Sequence, residues 1–317
     1  MKSVQAYTGS KPILLIGKNE NSIVVCFPGY IVNYFGFKLF VSPREGWQID
    51  SMGPLFADSE FDQIKIIDEL IAYLFTYQKI AYIEFTTNLL DKDPFSQYEQ
   101  FRKEVFTYHV QLFPENKEQV LKNFDKKTRN QLRKAIKLGL VAMVDRSDEF
   151  AVEFYNQIKQ VFEGRYRYLV FSFKRVKSLH YGMRESENYL PISIYMPDGK
   201  TCIATGIFLV YRNELTLWGW AHRKEYRWYC PTELLVWKAM EIAMERGCTQ
   251  FDLSGGGEYK LNFGAKPYHG YYRYFYSKYK IITQLRLILG KMYRSKQRIE
   301  RKMLRIFSKI LSKGKNA

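Results

Sequence analysis

Residues 215–264 read LTLWGWAHRKEYRWYCPTELLVWKAMEIAMERGCTQFDLSGGGEYKLNFG. An aromatic strand ends at Trp220 and a polar turn follows. Pro231 opens a helix; proline suits the first helical position, where its missing N–H is not needed and its φ is already helical. Gly247 ends that helix, a short strand carries Asp252, and a glycine-rich turn leads to Tyr259 and Lys260. A strand that feeds a helix N-terminus, with a second strand returning beside the first, makes a crevice at the strand ends. Strands 215–220 and 250–253 are therefore expected side by side, parting at their C-terminal ends. Exposed peptide N–H groups at such a helix start attract phosphate or carboxylate. The pattern is that of a group-transfer site rather than plain core.

The chain around this stretch has 317 residues and is 46% apolar, enough for a sizeable core in one large or two ordinary domains. Cys26, Cys202, Cys230 and Cys248 stand far apart with no CxxC pair, which argues against a disulfide framework and against a zinc site. His109, His180, His222 and His269 show no metal spacing, and neither a GxSxG nor an HExxH motif occurs. No metal is expected. No run of 18 apolar residues is present and the N-terminal apolar run is short, so the expected place is the cytoplasm, dissolved or at the inner face of a membrane.

The net charge of +17 is uneven. From Lys278 to Ala317 there are 13 Lys/Arg and one acid, so this tail alone supplies +12. Apolar residues recur there every three or four positions, the pattern of a basic amphipathic helix, expected to break near Gly290 or Ser295. Such a helix suits an anionic membrane surface, and a tRNA backbone is a second partner of the right charge. A helix packed back on its own domain is the third reading.

Upstream, Ser22–Phe27, Tyr30–Val41 and Gln48–Phe56 read as strands, Phe61–Gln78 as a helix, and Ile80–Phe85 and Glu104–Phe113 as strands. Glu115–Leu138 is predicted as one charged helix. A second unit opens with a helix from Ser147 through Phe162 and another over Ser172–Met183. Three antiparallel strands follow at Leu190–Met196, Thr201–Tyr211 and Glu214–Trp220, with turns at PDGK and RN. After the Pro231 helix and the Asp252 strand comes a last aromatic strand at Gly270–Tyr279. The first unit repeats this order roughly, which points to an internal duplication. The division is 1–144, 145–280 and the tail 281–317, in an α/β (α+β) chain of mixed sheets flanked by helices.

The order over 147–279 is similar to the GNAT acyltransferase fold, and three segments resemble its Fem and BioF-like branch, whose members carry two GNAT-like halves in tandem. They are TRNQLRKAIKLGLV at 128–141, the strand–turn–helix–strand run at 219–256, and EYKLNFGAKP at 258–267. The resemblance covers about residues 20–280. It implies transfer of an activated acyl or aminoacyl group onto an amine acceptor, as Fem proteins move amino acids from aminoacyl-tRNA onto peptidoglycan precursors and BioF-like relatives use other activated donors, often for surface polysaccharide. No resident cofactor is implied; the donor, aminoacyl-tRNA or an acyl thioester, is a co-substrate. One departure bears on it. GNAT enzymes hold the coenzyme A pyrophosphate on a glycine-rich loop before the central helix, whereas HRKEYRWYCPTE at 222–233 has no glycine. Side chains at every position keep peptide nitrogens from closing on a pyrophosphate.

Acyl transfer to an amine passes through a tetrahedral oxyanion, and a fixed cation aimed at it lowers the barrier. Lys260 is the candidate, matching the lysine in the transfer site of Fem relatives; a solvated surface lysine is the alternative. Asp252, at the strand end, is placed to take or orient a proton of the amine, or else to close an Asx turn. Arg165 matches an arginine that meets the anionic acceptor in Fem relatives. Trp220, Tyr226, Arg227, Tyr259 and Gly256 complete the candidate substrate-binding set. Trp218 and Trp220, two apart on a strand, are expected on one sheet face, as core or as cleft wall. A catalytically inactive GNAT-like scaffold at the membrane surface is the alternative to an enzyme.

Overall fold

The computed structural model describes residues 1–20, 22–34, 36–47, 49–57, 61–87, 99–164, 169 and 172–313. In chain order, the first elements are α1 (Lys2–Thr8), β1 (Lys11–Asn19), β2 (Ser22–Tyr34), β3 (Phe37–Ser42), β4 (Leu55–Phe56), α2 (Gln63–Thr76), β5 (Tyr82–Thr87) and β6 (Glu99–Gln111). The connecting and central elements are α3 (Lys117–Asn123), α4 (Lys126–Lys137), β7 (Val141–Val144), α5 (Phe150–Glu163), α6 (Phe173–Met183), β8 (Tyr189–Tyr195), β9 (Cys202–Tyr211) and β10 (Glu214–His222). A 3₁₀ turn (Lys224–Tyr229), α7 (Pro231–Glu245), β11 (Gln250–Asp252), a second 3₁₀ turn (Glu258–Phe263), β12 (Lys266–Ser277) and α8 (Lys280–Lys313) complete the chain.

The chain forms two compact units, one of Thr8–Val105 with Gly270–Ala317, the other of Lys2–Tyr7 with Phe106–His269. In the first, β1, β2 and β3 form an antiparallel meander, and the crossover helix α2 brings β5 back parallel to β3. In the second, β8, β9 and β10 form the meander, and α7 brings β11 back parallel to β10. The two units thus repeat one topology, as the rough repetition in the sequence suggested. In each unit the strand beyond this parallel pair comes from the other repeat. Antiparallel to β11 lies β6, which follows β5 in sequence, and antiparallel to β5 lies β12, which follows β11. Val120, Phe124, Leu132 and Ala135 of α3 and α4 join the second unit's core, and the compact units meet in sequence at 105/106 and 269/270.

In the second unit, β8 and β9 are buried along nearly their whole length. Apolar runs of this kind mark strands covered on both faces. One face carries α7 and α4, through Leu235, Met240 and Leu132 against Ile203, Phe208 and Phe251. The other carries α5 and α6, through Phe150, Phe154 and Val176 against Tyr189 and Ile207. In the first unit, Ile67, Ile71, Leu74 and Phe75 of α2 pack on Phe27, Phe40, Phe85 and Tyr276.

Local differences from the sequence expectations have specific causes. The single helix expected over 115–138 is two, because Phe124 and Asp125 are extended and the Asp125 carboxylate caps α4 by accepting the Thr128 N–H at 2.5 Å. Ser147 does not cap α5; its N–H and hydroxyl both donate to Asp145. α8 runs unbroken through Gly290 and Ser295, since one glycine costs a helix only about 1 kcal/mol. β1 and β7 were not read as strands.

Candidate functional site

The crevice lies in the second unit, where β10 and β11 part. They pair over only three positions, Glu214 with Gln250, Leu215 with Phe251 and Thr216 with Asp252. β11 then ends, while β10 continues from Leu217 to His222 alongside β9 alone. A bulge sits at the point of parting, because β10 carries one residue more than β9 between Leu217 and Gly219. An extra residue resets the alternation of faces. Trp218 therefore turns toward α5, its ring 5.8 Å from that of Phe154. Trp220 turns the other way, 6.0 Å from the Tyr259 ring and 6.2 Å from Phe263. The two tryptophans lie on opposite faces of the sheet, not on one as their spacing implied. Trp220 and Tyr259, both candidates from the sequence, meet as one aromatic wall.

Lys260 is neither a solvated surface lysine nor an ammonium reaching into open space. It is 4% exposed, and its Nζ donates to the carbonyl oxygens of Leu253, Ser254 and Gly255 at 2.5, 3.0 and 2.9 Å. Three ammonium protons meet three backbone acceptors, which is how a buried charge keeps its solvation. The lysine thereby fixes the turn that leaves β11. Ser254 in that turn has φ of 60°, and Gly256 and Gly257 follow at 77° and 95°, conformations that suit glycine. Gly256 lies at the exposed surface of the turn.

Asp252 is buried, and its Oδ1 accepts the Ser254 N–H at 2.7 Å, the Asx-turn arrangement. The Ser254 hydroxyl donates to the Leu217 carbonyl at 3.2 Å, tying the turn to β10. Oδ2 of Asp252 faces His109 Nε2 at 3.5 Å. His109 is bonded through Nδ1 to Gln250 at 2.9 Å and stacks on Tyr268 with centroids 4.2 Å apart. No local motif marks His109, which reaches Asp252 only through the cross-strand pairing of β6 with β11.

Before α7, where a glycine loop would sit, the backbone makes the 3₁₀ turn Lys224–Tyr229. Tyr226 packs 6.0 Å from Tyr229 and against the core, Arg227 is exposed, and Cys230 closes the turn with φ of 58°. Trp228 stands exposed under the Lys134 ammonium, which lies 3.2 Å from the ring centroid. Lys126, Lys127, Asn130, Gln131 and Lys134 of α4 line an open, basic depression. Within the first turn of α7, Glu233 is half-buried, and burial pushes its carboxyl above the usual range against the pull of its own N–H and of Arg227 and Lys127. Thr232 bonds His222 at 2.9 Å, and Arg223 grips Glu153 by two nitrogens, at 2.7 and 3.1 Å to Oε1. Glu233, His222 and Glu153 escaped the sequence reading, having no neighbours in sequence that announce them. Arg165 lies outside the described residues. Among the described residues no group of three His, Cys, Asp or Glu side chains is placed to hold a metal ion.

The family model of the acetyltransferase (GNAT) domain matches residues 122–272. No curated protein matches the sequence. Among solved structures, FemX is similar over 90% of this chain and 92% of its own, with a TM-score of 0.67 and 11% identity. The C-terminal domain (DUF2156) of a putative lysylphosphatidylglycerol synthetase from Agrobacterium fabrum gives 0.53 and 13%, over 88% and 87%. A tandem GNAT protein from the clavulanic acid biosynthesis pathway gives 0.51 and 10%, over 86% and 85%. At these identities the likeness is one of fold. The chain carries a GNAT domain and is an acyltransferase by class.

Proposed function

We propose that this acyltransferase moves an activated acyl or aminoacyl group onto an amine acceptor, a precursor of the cell wall or of a surface polysaccharide, by direct attack of the amine. The observation that carries this reading is the crevice beyond Thr216 and Asp252, walled by Trp220 and Tyr259 and closed by a turn that Lys260 holds. The turn before α7 speaks against acetyl-CoA as donor. Its positions carry Tyr226, Arg227, Trp228 and Tyr229 where a pyrophosphate needs bare peptide nitrogens. Aminoacyl-tRNA fits this better, with Arg227, Tyr226 and the basic depression on α4 on the donor's side. The FemX and lysylphosphatidylglycerol synthetase folds agree with an envelope role.

Within this reading Asp252 and Lys260 act on the reaction through the turn they shape, and Gly256 gives the substrate close access to backbone. Arg165 remains the candidate for the acceptor's anionic part. Residues 281–317 are the segment assigned to a membrane surface or to the tRNA backbone, on the cytoplasmic side. Incubation with tRNA charged with labelled amino acids and an envelope-precursor extract tests the reaction. Label in the precursor, absent with Trp220→Ala, supports it; label that stays on tRNA or goes only to water sinks it.

One observation favours a second reading, a non-catalytic scaffold. The Lys260 ammonium already meets three carbonyls, so it brings no open cation to an oxyanion. Absence of transfer from every donor, with retained acceptor binding, would select that reading.

A further inference from the structure

α8 is a 34-residue helix, about 50 Å long at 1.5 Å per residue. Its first turns are fixed to the first unit. Thr283 is buried against Ser277, and Arg286 reaches Glu45 at 2.9 Å and the buried Glu84 at 3.6 Å. Glu84 is also held by Arg273 at 2.7 Å, so the root of the helix is a cluster of ion pairs. From Leu285 onward the character changes. Leu285, Ile288, Leu289, Met292, Ile299 and Met303 are all exposed. At 100° per residue these six fall within one third of the helix circumference, with the exposed Lys291, Arg298 and Lys302 along one edge of the stripe. The helix holds 11 Lys/Arg and a single acid, Glu300.

An apolar stripe of this length in water demands a partner. We infer that the partner is an anionic lipid bilayer, on which α8 lies flat with the stripe in the acyl boundary and the basic edge among the headgroups. Three observations select it. No helix among the described residues is long and apolar enough to cross a membrane, so α8 lies on the surface rather than spanning it. The charge is nearly all of one sign, which favours a negative surface and opposes pairing of two copies of α8 along the stripe. Lys296 interrupts the stripe, where it would be buried in a helix pair but can snorkel to headgroups. Because the root is clamped through Arg286 and Thr283, the helix anchors the first unit rather than trailing from it. This inference does not depend on which group the enzyme transfers.

Co-sedimentation of the full-length protein with vesicles of phosphatidylcholine alone, or mixed with phosphatidylglycerol, tests it. Binding is expected to the anionic vesicles and to weaken with added salt. The triple variant Ile288→Ser, Met292→Ser, Ile299→Ser keeps every charge and should bind at least about 10-fold more weakly. Lys291→Gln, Arg298→Gln, Lys302→Gln should lose about 100-fold at low salt, from roughly 1 kcal/mol per basic residue. All six positions are exposed, so a melting curve equal to wild type confirms the fold of each variant. Three results would overturn the inference: equal indifference of folded wild type to both vesicles, a dimer in sedimentation velocity that the serine variant dissolves, or salt-sensitive binding to RNA without binding to lipid.

Discussion

The Nζ of Lys260 lies 2.5 Å from the carbonyl oxygen of Leu253, the residue that follows β11. That bond, with two more to Ser254 and Gly255, makes the lysine the organiser of the turn at the mouth of the crevice. A charge-assisted hydrogen bond contributes about 1.5–3 kcal/mol, and an abandoned buried acceptor costs about 1–3. Lys260→Met should therefore lower the melting temperature and, by loosening the turn at the crevice mouth, slow transfer by roughly 10²-fold, the loss that a misplacement of about 1 Å causes. A lysine acting only as an oxyanion cation would leave the melting temperature unchanged. Thermal melting and turnover measured on the same preparation separate these roles.

Glu233 gives a pH signature. Its carboxyl titrates above the ordinary 4.5, chiefly because burial disfavours the charge. For an acid raised in the fold, the neutral form is the one the fold prefers. Its effect on stability is absent below the unfolded value and becomes a penalty as pH climbs past it. Glu233→Gln should melt higher than wild type at pH 7 and no higher at pH 4. Equal curves at both pH values would show that the carboxyl is well solvated.

Glu45 has the opposite sign. Burial alone would raise it, but Arg286 and Lys103 hold its carboxyl down at about 2, against an ordinary 4.5. Its stabilising pairing is fully present above 4.5 and fades as pH falls toward 2. Glu45→Gln should remove that slope and loosen the root of α8. Hydrogen exchange of the amides near Arg286, compared at neutral and acid pH in both proteins, checks it.

Gly206 tests the packing behind the crevice. A Cβ there would lie 2.7 Å from the Phe208 ring and 3.1 Å from Leu235. Gly206→Ala should destabilise the second unit by about 1–3 kcal/mol, the usual range for overpacking. Denaturant unfolding with an unchanged slope would carry that measurement.

Much of this was legible in the sequence, and the remainder was not for physical reasons. The strand, proline-opened helix and Asp252 strand could be read because hydrophobic period and helix-end signals are local. The tandem repetition showed faintly in element order. The exchange of β6 and β12 did not show, because strand partners are chosen by contacts far apart in sequence. Trp218 and Trp220 were put on one face because strict alternation knows nothing of a bulge. Lys260 reads from the sequence as a cation facing the crevice, but its acceptors are main-chain carbonyls that carry no residue identity. His109 and Glu233 gain their surroundings only on folding. Residues 115–138 read as one helix because Asp125, the cap of α4, is one charge among many and has no glycine or proline beside it.

The central claim is transfer to an amine from a donor other than coenzyme A. Its most direct test is a parallel assay of full-length protein with labelled acetyl-CoA and with labelled aminoacyl-tRNA, each with the same envelope-precursor extract, alongside calorimetric titration with acetyl-CoA. The expected result is label in the precursor from aminoacyl-tRNA only, and no saturable heat from acetyl-CoA. A micromolar dissociation constant for acetyl-CoA, with acetyl transfer to the same acceptor, would contradict it.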